Sequence, residues 1–399
     1  MYKIKSVPED FCVKEITKIE AREKGDYAYF LMKKRSYTTQ KAIEEIARSG
    51  KARRSAVGYA GLKDKNAVTE QLISVDHGDE SLENIDFKDI SLKFLGRGYL
   101  KIGIGDLEGN EFKITARNLE PYEVIKIANK FLDEELKEEF ELSEKSIKIL
   151  IDEIKFSISG KKIFFPNYFD EQRFSKSNCD VARHFLKREF AAAVMEMLKF
   201  DIPTEKVDEN WKNWDALLGM TNNHLEAPML EHLKSNPNDF VGALRTLPRR
   251  IIKIYIGSLQ SKIFNDALSS LIMSRFPDFS EETYSRGIFA FTRKGLFSDS
   301  GESIPLVGFG SELSSEEGIP KIVSDTLKKD GISQRDFIVK EMPELSSEGS
   351  ERKAFCELEN LNVEEFGKDE MNEGKYKITF SFYLKKGSYA TIALRALFI

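Results

Sequence analysis

Gly61-Leu62-Lys63-Asp64-Lys65-Asn66-Ala67-Val68-Thr69-Glu70-Gln71 decides how this chain is read. An apolar run, Ala56 to Ala60, leads into it, and a second strand-like run, Leu72 to Val75, leads out. The string therefore reads as a short loop between strands, with one carboxylate, Asp64, between two lysines. Ammonium groups beside a carboxylate favour its charged form. An ionised, strand-anchored carboxylate is what covalent catalysis by Asp requires. The bland alternative is a solvated polar turn, since exposed Lys–Asp pairs are worth little. The triplet alone does not choose between the two; the whole string does.

Working outward, alternation around Phe11, Val13 and Ile16 predicts a strand, and Ala28 to Met32 a more buried one. Thr38 or Thr39 can cap a helix carrying Ala42, Ile43, Ile46 and Ala47 on one face, with Gly50 as its left-handed C′ residue. Leu92, Phe94, Tyr99, Ile102 and Ile104 suggest further strands, and residues 121–155 read as helical. Gly103-x-Gly105-x-x-x-Gly109 misses the dinucleotide fingerprint by one residue and does not open a helix, which excludes a Rossmann site. From about 178 to 340 the pattern is helical, and strand-like alternation returns through Tyr376, Ile378, Phe380 and Phe382 before a short terminal helix. Strand-rich ends around a helix-rich middle suggest one domain inserted into another.

A chain of 399 residues exceeds the size at which single cores usually split, and its 41% hydrophobic content suffices for two. Its apolar runs are too short to span a bilayer, and the N-terminus lacks the apolar core of a signal peptide. No membrane partner and a cytoplasmic location are expected. Cys12, Cys179 and Cys356 lie far apart, and the four histidines form no HxH or HExxH pair, so neither a disulfide framework nor a metal site is indicated. The net charge is −5, yet residues 1–75 carry 16 Lys/Arg against 10 Asp/Glu. Phosphate contact needs a local basic face, not a basic whole protein.

Two more strings bear on function. Asn167-Tyr168-Phe169-Asp170-Glu171-Gln172-Arg173-Phe174 places aromatics beside amide and guanidinium groups, an arrangement that can stack a base and bond its edge. The competing reading is a core strand with its phenylalanines buried. In Phe382 to Thr391, Gly387 allows a tight turn and Tyr389 can face a ligand, although turn chemistry alone also accounts for it.

Together the strings resemble the TruD family of tRNA pseudouridine synthases, whose signature is similar to G-x-K-D-K-x-A-x-T-x-Q; every fixed position is present from Gly61 to Gln71. The resemblance extends to Pro8-Glu9-Asp10-Phe11-x-Val13-x-Glu15, to Gly105-Asp106-Leu107-x-Gly109-Asn110-x-Phe112, to Asn167–Phe174 and to Gly387–Thr391 with Leu394-Arg395. Residues about 190–340 match only loosely.

The resemblance implies an α+β protein. A pseudouridine-synthase-like catalytic domain with a mainly antiparallel mixed sheet would comprise residues 1–185 and 346–399, and an inserted α/β TRUD domain residues 186–345. It implies an isomerase that converts uridine to pseudouridine, at position 13 of tRNA, without cofactor, metal or obligatory protein partner. Asp64 would be the catalytic carboxylate. Phe169 would stack on the base, Asn167 would hydrogen-bond it, and Tyr389 would form another wall where the family more often carries Phe. Lys63 and Lys65 would tune Asp64 or contact phosphate, and Lys14 would be the cation paired with Asp64. Asp170 stands where the family carries Gly. Two rivals remain: an RNA-binding protein without chemistry, and a metal-dependent nuclease or phosphatase, which would want several clustered acids.

Overall fold

The computed structural model describes residues 2–50, 53–132, 143–295, 298 and 301–399. The chain forms two compact units: Met1–Phe165 with Lys294–Asp299 and Cys356–Phe398, and Pro166–Arg293 with Ser300–Phe355. It leaves the first unit after Phe165, returns to it briefly at Lys294–Asp299 and resumes it at Cys356, whereas the sequence placed the outer transitions after 185 and after 345.

The first unit is built on an eight-stranded mixed sheet. Its strands include β1 (Phe11–Ile16), β2 (Tyr27–Arg35), β3 (Val57–Tyr59), β4 (Val68–Asp76), β5 (Ile90–Gly98) and β6 (Gly109–Leu119). The strands Glu359–Lys368 and Tyr376–Lys385 extend it beyond β6, giving the order Glu359–Lys368, Tyr376–Lys385, β6, β1, β4, β2, β5. Every pairing is antiparallel except β1 with β4. One edge of β4 is shared: β1 pairs with Val68–Glu70 and β3 with Ile73–Val75.

Side chains alternate across a strand, so this register sorts the charges. On one face Phe30 and Met32 of β2 and Ile73 and Val75 of β4 pack against helix α1 (Thr39–Ser49). Thr38 caps α1 by accepting from Lys41 N–H (3.2 Å), and the expected stripe Ala42, Ile43, Ile46 and Ala47 is buried. Burial of Ile43 and Ile46 contributes roughly 2 kcal/mol each. Gly50 ends α1 with an ordinary φ of −79° and not the expected left-handed one; a Cβ there would meet Leu82 at 2.9 Å. On the opposite face Lys33 pairs with Glu70 (3.1 Å) and Lys14 with Glu111 (3.1 Å).

Arg117 of β6 ties the N-terminal segment to this sheet. It is buried against Asp10 (2.8 Å) and Asp369 (2.9 Å), and its backbone bonds that of Lys3. The Tyr99–Ile104 segment, expected as strand, is loop, because Ile102 N–H donates to Ser74 Oγ and not to a strand partner. The helix expected over 121–155 is two helices, Pro121–Phe131 and Glu144–Ile158; the acidic stretch 133–142 lies outside the described residues.

The second unit is built around the 27-residue helix Arg249–Arg275, which buries Ile252, Leu259, Ile263, Phe264, Leu268 and Ile272. The stretch expected as helical from about 178 opens with two helices, Asn178–Leu186 and Phe190–Leu198. A hairpin, Phe279–Tyr284 with Gly287–Thr292, interrupts the helical stretch expected to run to 340. Its connection, Ser285-Arg286, carries none of the Gly, Asn or Asp chemistry that marks two-residue hairpin loops.

Candidate active site

The apolar face beneath α1 becomes polar at one end, where Lys34, Thr69, Gln71 and Glu15 are all buried. Lys34, Gln71 and Glu15, with Thr39 of α1, hold the Gly61–Asn66 loop. Gln71 Nε2 donates to the Gly61 carbonyl (3.1 Å), and its Oε1 accepts from Thr39 Oγ1 (3.0 Å). Lys63 N–H in turn donates to Thr39 Oγ1 (2.9 Å). The first and last positions of the sequence signature are thus joined through a side chain, which closes the loop on the strand that follows it.

The lysines divide the work in a way the sequence did not indicate. Lys63 Nζ pairs with Glu15, whose carboxyl is raised by burial while the Lys63 charge opposes that shift. Lys34 is fully buried, and its ammonium donates to the carbonyls of Asp64 (2.8 Å) and Tyr37 (2.6 Å). Burial pushes Lys34 down to about 8, with Lys63 adding to the shift and Asp64 opposing it. Lys65 is exposed. The Asp64 carboxylate, with its side chain 36% exposed, pairs with Lys5 Nζ at 3.1 Å.

Lys5 therefore makes the ion pair expected of Lys14. Strand alternation explains the correction. Glu15 faces the loop through its bond to Lys63, so Lys14 must face the other side of the sheet, where it meets Glu111. Lys5 reaches Asp64 from a left-handed backbone, φ 61°, with its ammonium 4.1 Å from the centre of the Phe11 ring. No motif flagged Lys5 or Lys34. Lys34 lies inside the basic cluster Lys33-Lys34-Arg35, which reads as a surface for phosphate, and only the strand's parity distinguishes the inward residue.

Tyr389 belongs to the same unit. It is half-buried and precedes the helix Ala390–Phe398, after a turn in which Gly387 takes φ 89°. Asn167 and Phe169 belong to the second unit. There the Tyr168 hydroxyl, fully buried, donates to the Ala290 carbonyl (2.9 Å) and accepts from Ala290 N–H (3.0 Å). Asn265 brackets Phe169, accepting from its N–H and donating to its carbonyl, each at 2.9 Å.

Arg352 lies over the Phe169 ring, 4.1 Å from its centre, and Phe264 meets that ring edge-on at 5.5 Å. Arg352 also donates to Asn167 Oδ1 (2.6 Å), and Asn167 Nδ2 donates to the Lys353 carbonyl (3.1 Å). Asp170 has an ordinary φ of −75° and accepts from Glu171 N–H (2.8 Å), so this position does not need glycine's freedom. Among the described residues no group of three or more His, Cys, Asp or Glu could hold a metal ion, and no helix is long and apolar enough to cross a membrane.

A family model described as tRNA pseudouridine synthase D (TruD) matches residues 2–283 and 298–397. The chain is 32% identical to the probable tRNA pseudouridine synthase D of Methanococcoides burtonii, over 98% of this chain and 92% of the relative. It is 30% identical to the tRNA pseudouridine synthase D of Aquifex aeolicus, over 99% and 98%. A crystal structure described as a putative TruD from Methanosarcina mazei matches with a TM-score of 0.73 at 28% identity, covering all of this chain and 93% of that one. The mixed α/β fold and these likenesses define a pseudouridine synthase, an isomerase. The chain belongs to the tRNA pseudouridine synthase D (TruD) family.

Proposed function

We propose that this protein converts uridine to pseudouridine in tRNA, at position 13, with Asp64 as the reacting carboxylate. The observation that carries this reading is the Asp64 side chain itself: part-exposed, paired with Lys5, and mounted on a loop whose other contacts are buried. Pseudouridine formation breaks the N-glycosidic bond of uridine and rejoins C1′ of the ribose to C5 of the base. A carboxylate held open to solvent can reach a nucleotide drawn out of the RNA stack. A buried one could not.

Lys5 holds that carboxylate in place through a charge-assisted contact of the stronger kind. Lys63 and Lys34 hold the loop, and exposed Lys65 is free to meet phosphate. The residues 1–185 and 346–399 would form the catalytic part, and the inserted part would grip the RNA. Tyr389 of the first unit offers an aromatic wall, whereas Asn167 and Phe169 are buried and engaged by Arg352, so this arrangement does not present the amide and stacking face expected of them.

The test is to incubate the protein with an unmodified tRNA transcript and map pseudouridine chemically, for wild type and Asp64→Ala. A new pseudouridine at position 13 with wild type only is the expected result. No product with wild type, or equal product from Asp64→Ala, overturns the proposal; product elsewhere overturns the assigned position.

A further inference from the structure

Two loops of the first unit expose large aliphatic side chains, one on the Asp64 loop and one on a turn bonded to the residue before that loop. Leu62, two residues before Asp64, is 63% exposed, and Ile104 is 73% exposed. Both occupy places where polar residues are the norm. Ile104 sits at the tip of a tight turn in which Asp106 N–H donates to the Gly103 carbonyl (3.2 Å) and Gly105 takes φ +97°. Glycine is what such a turn requires at its third position. Asp106 Oδ2 accepts from Gly103 N–H (2.8 Å), closing the turn a second time.

The turn is bonded to the residue that leads into the Asp64 loop. Gly105 N–H donates to the Ala60 carbonyl (2.8 Å), and Lys386 Nζ donates to the Gly105 carbonyl (3.0 Å). Beneath them Ala60 and Ile102, each 2% exposed, pack with Tyr29 and Leu72. The aliphatic tips therefore project from a rigid base. Exposed Lys65, Lys101 and Lys386 lie on the same loops or bonded to them, the charge that phosphate contacts use.

We infer that Leu62 and Ile104 form an apolar wedge that enters the RNA stack vacated by the target uridine; this rests on the pseudouridine-forming reading above. A uridine cannot meet a carboxylate while stacked, so its removal leaves a gap between neighbouring bases beside the catalytic loop. Nucleic-acid-binding proteins fill such gaps with aliphatic side chains, which hold the step open. Leu62 is attached to the carboxylate's own loop, so wedge and reacting group advance together.

The test compares wild type, Leu62→Ala/Ile104→Ala and Leu62→Met/Ile104→Met in single-turnover reactions at saturating protein. One substrate is an ordinary tRNA transcript; the other carries an abasic site beside the target uridine, which weakens its stacking. The alanine pair should slow the ordinary transcript about tenfold and the abasic one less than about threefold, with the methionine pair close to wild type and melting temperatures unchanged. Equal slowing on both substrates, or none on the ordinary one, overturns the wedge. Wild type forming no pseudouridine on either substrate is a separate failure that removes the reading and the wedge together.

Discussion

The Asp64 loop and the Asn167–Phe174 segment both announce themselves in sequence as polar groups among apolar ones, yet they are built in opposite ways. Around Asp64 the supporting groups Lys34, Gln71 and Thr39 are buried and hydrogen-bonded, while the carboxylate stays open to solvent with Lys5. Around Phe169 the conspicuous groups are themselves the satisfied ones: Arg352 covers the ring and takes Asn167 Oδ1, and Asn265 clamps the backbone. One region holds a reactive group out. The other holds its recognition groups in. On the proposed reading the first region carries chemistry and the second binding, and this contrast can be broken at several points.

The largest effect should come from the buried pair beneath the loop. Lys63→Met leaves Glu15 charged and alone in a buried place, which costs about 3–5 kcal/mol. Chemical denaturation checks this, and Glu15→Gln/Lys63→Met together should recover much of the loss.

Lys34 gives a pH test of the same support. Its folded value of about 8 lies below the ordinary lysine value of 10.5, so between these the unfolded chain binds more protons and stability rises with pH. The Lys34 contribution is present above 10.5 and is lost as pH falls through about 8. Wild type should therefore gain up to about 3 kcal/mol on Lys34→Met between those limits. A difference independent of pH would show that Lys34 is not held as an ammonium short of charge partners.

Lys5→Met should leave the fold intact and lower the single-turnover rate about 30-fold, corresponding to roughly 2 kcal/mol for a hydrogen bond between charged groups. Lys14→Met, by contrast, should leave the rate within about twofold, since an exposed pair is worth little. Reversed results would restore the assignment made from sequence.

The smallest effect lies in the second region. Arg352→Ala removes the cation over Phe169 and should cost about 1–2 kcal/mol of stability. It should weaken tRNA binding while the saturated single-turnover rate stays within about threefold. A collapse of that rate with binding intact would move chemistry into the second region and erase the contrast.

What the sequence made legible was local. The α1 stripe, its cap at Thr38 and the position of the Asp64 loop between strands all follow from short-range pattern. The partners of Asp64 did not. Choosing Lys34 over Lys33 needs the register of β2 against β4, and choosing Lys5 over Lys14 needs to know which face of β1 the loop covers. Lys5 also depends on a left-handed backbone that a lysine seldom adopts, invisible in pattern alone. The Phe279–Thr292 hairpin was missed because its turn lacks turn-forming residues. For the partners of Asp64 the missing information was a long-range pairing; for the hairpin it was the chemistry of a short turn.

The measurement that bears most directly on Asp64 as the reacting group is a single-turnover comparison of wild type and Asp64→Asn at saturating protein, with tRNA affinity measured in parallel. Asparagine keeps the shape and removes the nucleophilic charge. The expected outcome is a rate loss of at least about a thousandfold with affinity changed less than about threefold. Pseudouridine formed by Asp64→Asn at a rate near wild type would contradict the assignment of chemistry to this loop.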